Sequence, residues 1–183
     1  MMVQLLHKEI TTECTVSSHI LKQASAIFNA MLSKDRFQEG TDLSQSTEVS
    51  ALYTLKLHDD DAPAMLEILK ALHHRGHQVS KRISVPDLVA IAELSEKYDL
   101  YEALYPWTRL WMSRVAHLVY EPGCEHWLLI AWAFREESVF RELSRTVILD
   151  SDAGGPLLHP SLPDSVVGMY IQVTAIQERA FSR

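Results

Sequence analysis

Apolar and polar positions alternate at the start of the chain. Val3 and Leu5 are flanked by polar neighbours, and Ile10, Thr12, Cys14 and Val16 fall on one face of an extended segment while Thr11, Glu13 and Thr15 fall on the other. Two short strands forming a hairpin are predicted. The period then changes: Ile20, Leu21, Ala24, Ile27, Phe28, Met31 and Leu32 recur as one buried helical stripe. Serines punctuate that stripe. Ser17 or Ser18 can cap a first short helix and Ser25 a second one beginning at Ala26, because a serine oxygen accepts the N–H groups that a helix start leaves unpaired.

After the polar run DLSQSTEVSA, the alternation of Tyr53, Leu55 and Leu57 predicts a third strand, expected to join the hairpin in one sheet. The acidic turn HDDDAP opens a helix: Asp60 or Asp61 can cap it, Pro63 suits its first turn, and Met65, Leu66, Leu69 and Leu72 form its stripe, with Gly76 past its end. Ser84 and Asp87 have capping-box spacing ahead of Leu88, Ile91, Ala92, Ser95 and Tyr98. Leu104, Trp107, Trp111, Val115 and Leu118 share a further helical face, which Pro106 should start or kink. Helices around residues 127–134 and 139–149 and from Pro163 onward complete the chain, and DAGGP is the clearest loop. Strands followed by helices define an α+β class, a small sheet covered by helices with an all-helical C-terminal extension.

Composition narrows the functions open to such a chain. Its 183 residues, 47% of them hydrophobic, suffice for a real core. The net charge of −7 opposes condensation onto phosphate backbones, and Lys81 and Arg82 are the only tight basic pair, so direct nucleic-acid binding is not expected. The longest apolar run, WLLIAWAF, is far shorter than the roughly 20 residues of a membrane-spanning helix. The opening MMVQLLHKEI lacks the pattern of a secretory signal, and two cysteines, Cys14 and Cys124, are too few for a disulfide framework. An intracellular protein, cytoplasmic or nuclear, is expected.

Two constellations carry possible chemistry. A hydrolase could use Ser25 as nucleophile and His19 as base, but six residues along one helix place them on different faces, and neither a GxSxG elbow nor a glycine-rich oxyanion loop is present. Capping and packing is the favoured role for Ser25. His73, His74 and His77, with Cys124 and His126, could in principle supply zinc ligands, yet nothing in the sequence unites these segments. Histidines offsetting the carbonyl end of a helix dipole is the simpler reading, and no cofactor or metal is expected. The four tryptophans read as core or interface anchors.

The order of pieces resembles the BTB/POZ domain, most closely the short fungal proteins that carry it. The resemblance rests on a hairpin leading into VSSHILKQASAIFNAML, then RFQEG, a strand ending LKLHDDDAPAMLEILKALH, and LVAIAELSEKYDLYEAL. It covers residues 3–105 and leaves 106–183 as the helical extension, where WLLIAWAF and FRELSRTVIL resemble that of the fungal group. The resemblance implies a non-enzymatic protein-interaction module, with the helix hairpin as a packing hinge. Many members homodimerise through a helix and strand ahead of the core hairpin; here the hairpin begins almost at once, and Met1 and Met2 stand where an acidic residue is usual, so that mode of pairing is not expected. Others dock on a cullin-type ubiquitin ligase scaffold through a hydrophobic residue, any residue, then glutamate, a pattern matched by Phe37, Gln38 and Glu39. The partners implied are other proteins, a second copy or a cullin scaffold.

Overall fold

The computed structural model describes residues 1–7, 10–33, 39, 41–42, 53–119, 126–149 and 158–181. Among these residues are three strands and eight α-helices, so the chain is α+β. Its elements divide into two compact units, Met1–Ser113 and Arg114–Arg183.

In the first unit β1 (Met2–His7) and β2 (Ile10–Thr15) form the expected hairpin, and β3 (Thr54–His58) joins the same sheet in the order β2-β1-β3. The β1–β2 pair is antiparallel, with Val3 opposite Cys14 and Leu5 opposite Thr12. The β1–β3 pair is parallel, with Val3 opposite Leu55 and Leu5 opposite Leu57. A period of two therefore collects Val3, Leu5, Leu55 and Leu57 on one buried face, while Glu13, Thr15, Lys56 and His58 stand exposed on the other.

Between the strands lie α1 (Ser18–Ala24) and α2 (Ala26–Met31), and after β3 come α3 (Ala62–Leu72), α4 (Val85–Lys97) and α5 (Tyr101–Val115). α3 packs against β1, α1 and α4. Phe28, Met65, Ile68, Leu88 and Ile91 are fully buried and form this unit's core. Asp61, not Asp60, caps α3: its carboxylate accepts the Ala64 N–H at 2.9 Å.

Two punctuation marks have particular settings. α3 ends at Leu72 with His73 as its C-cap, and it is His74, at φ 56°, that takes the left-handed position. The Arg75 N–H then reaches back to the Lys70 carbonyl at 2.9 Å and the His74 N–H to Ala71 at 3.2 Å, the Schellman pattern that more often employs glycine. Gly76 serves instead to make room, since a Cβ there would lie 3.3 Å from the Trp107 ring. Pro106 does not start α5, since the helix begins at Tyr101 and runs on to Val115 with the proline inside it. Pro106 and Glu102, whose carbonyl loses its usual partner, are both exposed, so the lost bond falls where water can replace it.

The second unit holds α6 (His126–Ala133), α7 (Glu137–Leu149) and α8 (Asp164–Phe181). α6 is apolar all round and buried accordingly, from Trp127 to Ala131 without interruption. Trp132 meets Phe140 of α7 with ring centroids 5.8 Å apart, and the buried Tyr170 of α8 donates its hydroxyl to Ser144 of α7. No helix among the described residues is long and apolar enough to cross a membrane.

Candidate interaction surface

The polar side chains of the helix hairpin hold it in place. Ser17 caps α1, its oxygen accepting from the Ile20 N–H at 3.4 Å, while its own N–H donates to Nε2 of His73 at 2.9 Å. Nδ1 of His73 lies 2.9 Å from the Leu69 carbonyl. A carbonyl only accepts and an N–H only donates, so the two contacts together require a neutral ring protonated on Nδ1. His73 thereby ties the end of α3 to the start of α1, and with both nitrogens engaged it has no lone pair to offer a metal.

Ser25 ends α1 and starts α2. Its oxygen accepts the Phe28 N–H at 2.9 Å and its hydroxyl donates to the Tyr98 carbonyl at the end of α4. The side chain is 2% exposed, whereas His19 is exposed to solvent. Among the described residues no hydrogen bond joins the two, and the serine proton is directed at a backbone carbonyl in another helix. Phe28 stacks on Tyr98 with centroids 4.5 Å apart. The Tyr98 hydroxyl donates to Asp60 at 2.6 Å, and Lys97 reaches the other carboxylate oxygen at 2.5 Å. Burial first, then the hydrogen bond and charge of Asp60, push the Tyr98 hydroxyl well above the usual phenol range. Asp60, 2% exposed, is a carboxylate paired on both oxygens rather than the cap that the acidic turn allowed.

Of the candidate docking residues, Phe37 and Gln38 lie outside the described residues. Glu39 is half-buried, and its charge acts on Tyr53: burial and the carboxylates of Glu39 and Asp42 push that hydroxyl up to about 12. Tyr53 in turn anchors the sheet, its carbonyl accepting the Met2 N–H at 2.8 Å. Glu39 therefore belongs to the surroundings of the β3 entrance. On the hairpin, Ile27 stands 42% exposed on α2. Across the open face of the sheet Gln4 donates to Glu13 at 3.0 Å.

A feature that sequence reasoning missed is a groove of about 390 Å³ between α3 and α4, lined by Pro63, Leu66, Lys70, Arg82, Ile83 and Ile91 among others. Leu66 falls on the buried stripe by its spacing, but it is half-buried and lines this groove. Glu67 organises one wall, binding Lys70 at 2.5 Å and the Ser80 N–H at 2.8 Å. The opposite side of Ser80 is fixed by Trp111, whose indole N–H donates to its carbonyl at 2.8 Å. The i,i+3 spacing of Glu67 and Lys70 is legible in the sequence, but the fold alone brings residues 80–83 against it.

Cys14 is half-buried with its Sγ 3.8 Å from the Val3 carbonyl, and burial pushes its thiol pKa up. Cys124 lies outside the described residues. Among the described residues no three His, Cys, Asp or Glu side chains gather as a metal site. No family model matches the sequence, and no curated protein matches it.

Proposed function

We propose that the protein is a non-enzymatic protein-interaction module of the BTB/POZ type. The observation that carries this reading is the engagement of Ser25 and His73. The groups that nucleophilic or metal chemistry would need are used to lock the helix hairpin onto α3 and α4. Among the residues that the hairpin turns outward is Ile27 of α2, a large apolar side chain 42% exposed. The order of elements agrees: an N-terminal hairpin, a helix pair closed by a serine, a third strand in the same sheet, then helices. Partners are other proteins, engaged through the outer face of α1 and α2 and the neighbouring segment at Phe37, Gln38 and Glu39.

Affinity purification of the full chain, with identification of what co-purifies and measurement of its solution mass, tests this reading. A stable partner or a self-associated species supports it. A hydrolytic activity abolished by Ser25→Ala in a folded variant would replace it with an enzyme. Capture of a cullin scaffold, weakened by Glu39→Ala at unchanged melting temperature, would narrow the module to a ligase adaptor.

A further inference from the structure

Ser84 has a setting that the interaction reading does not use. It is preceded by Lys81 and Arg82, the chain's one tight basic pair, and followed by the apolar Val85. Lys81, Arg82 and Ser84 are all exposed and lie in the irregular segment between α3 and α4. That segment is held firmly at its upstream end, where Val79 is buried and Ser80 is bonded to both Glu67 and Trp111. Beyond Ser80 the side chains of Lys81 and Arg82 are exposed, that of Arg82 at the wall of the groove, and the backbone at Ser84 is extended, with φ −77° and ψ 159°.

We infer that Ser84 is a phosphorylation site for a base-directed serine/threonine protein kinase. Such an enzyme reads its substrate by placing acidic groups against cations two and three residues before the acceptor, and partner choice by charge pattern of this kind is a general device. Among the described serines and threonines only Ser84 has basic residues at both positions. Ser138 follows Arg135 by three residues, but Glu136 and Glu137 intervene. Ser144 follows Arg141, but it is half-buried and its hydroxyl is bound to Phe140 and Tyr170.

The reaction consumes a nucleoside triphosphate brought by the kinase. The Ser84 Oγ attacks the γ-phosphorus, an O–P bond forms, the bond from the γ-phosphorus to the β–γ bridging oxygen breaks, and the nucleoside diphosphate leaves. The hydroxyl proton passes to the kinase's own base. What must be given up in the substrate is small: the Ser84 hydroxyl donates to Asp87 at 2.5 Å and accepts its N–H at 3.3 Å, both at an exposed helix start. The product carries a charge of about −1.5 to −2 at neutral pH where that hydroxyl stood. It is favoured by the α4 N-terminus and opposed by the Asp87 carboxylate, and it sits two residues from Arg82, a wall of the groove. The modification therefore writes a dianion onto the rim of that groove.

The test uses the full folded chain, the catalytic subunit of cyclic-nucleotide-dependent protein kinase as probe, and ATP with magnesium. Intact mass and fragment mapping read the product. The expected result is one phosphoryl group, at Ser84, with no incorporation there in Ser84→Ala and a fall of roughly tenfold or more in kcat/KM for Arg82→Ala. Circular dichroism confirms that both variants remain folded. Modification of the urea-unfolded chain with none of the native chain would overturn the proposal, as would labelling of the native chain that Arg82→Ala leaves unchanged.

Discussion

The ring of Phe28 lies flat on that of Tyr98, 5° from parallel and with 4.5 Å between centroids, although the two residues belong to different helices. Phe28 is fully buried, so Phe28→Ala removes both the transfer free energy and the stack and leaves a cavity against Tyr98. The variant should lose about 3–5 kcal/mol of stability. Urea unfolding measures it, and a loss below about 1 kcal/mol would show that the ring does not fill the core.

Ser25→Ala removes the cap of α2 and the hydrogen bond to the Tyr98 carbonyl in one step. A destabilisation of about 1–3 kcal/mol is expected. Ser25→Thr, which keeps the hydroxyl, should recover part of it in the same unfolding experiment.

His73→Phe keeps a flat ring of similar size but leaves the Ser17 N–H and Leu69 carbonyl without their side-chain partner. The expected loss is about 1–3 kcal/mol. In the unmodified protein, nitrogen NMR should find His73 with its proton on Nδ1; a proton on Nε2 of the neutral ring would contradict the assigned link to α1.

Tyr53 gives a pH dependence. Its folded value is raised from the ordinary 10.0 to about 12, so the neutral phenol is the form that folding favours. Its contribution is complete below about pH 10 and declines as pH rises toward 12, because the unfolded chain loses that proton first. Phenolate absorbance should show Tyr53 ionising late, and Glu39→Gln should bring that transition to lower pH. No movement on removing the Glu39 charge would separate the two residues.

His74 predicts a gain. At φ 56° it occupies backbone space that glycine enters without strain, and its side chain is exposed. His74→Gly should stabilise the protein by about 0.5–1 kcal/mol, read as a higher urea midpoint. An unchanged or lower midpoint would mean that the imidazole contributes more than the strain removes.

Much of this architecture could be read from residue order. The period of two at Val3, Leu5, Leu55 and Leu57 and the serines at the helix starts are local signals, and local physics produced both. Yet the alternation reads identically for parallel and antiparallel partners, so the direction of β3 against β1 was not legible. Asp60 and Asp61 are chemically the same; the choice between them depends on Tyr98, far along the chain, which takes one carboxylate and leaves the other to cap α3. The apolar stripe ends at Leu72 and so does α3, but that the left-handed position after it falls on His74 instead of a glycine was not legible. The groove was the least accessible part, since it joins residues of α3 to the 80–83 segment and no short window contains both.

The central position of β1 also orders events in time. Its antiparallel partner follows within a few residues, whereas its parallel partner, with Met2 opposite Thr54, closes a loop of about fifty residues. Hairpin formation is a microsecond event, and distant pairing waits on the entropy of closure. β1 therefore enters folding as one half of a hairpin with an unpaired edge. That edge stays open until β3 is delivered, and this interval is when the nascent sheet is most exposed to pairing with the wrong chain.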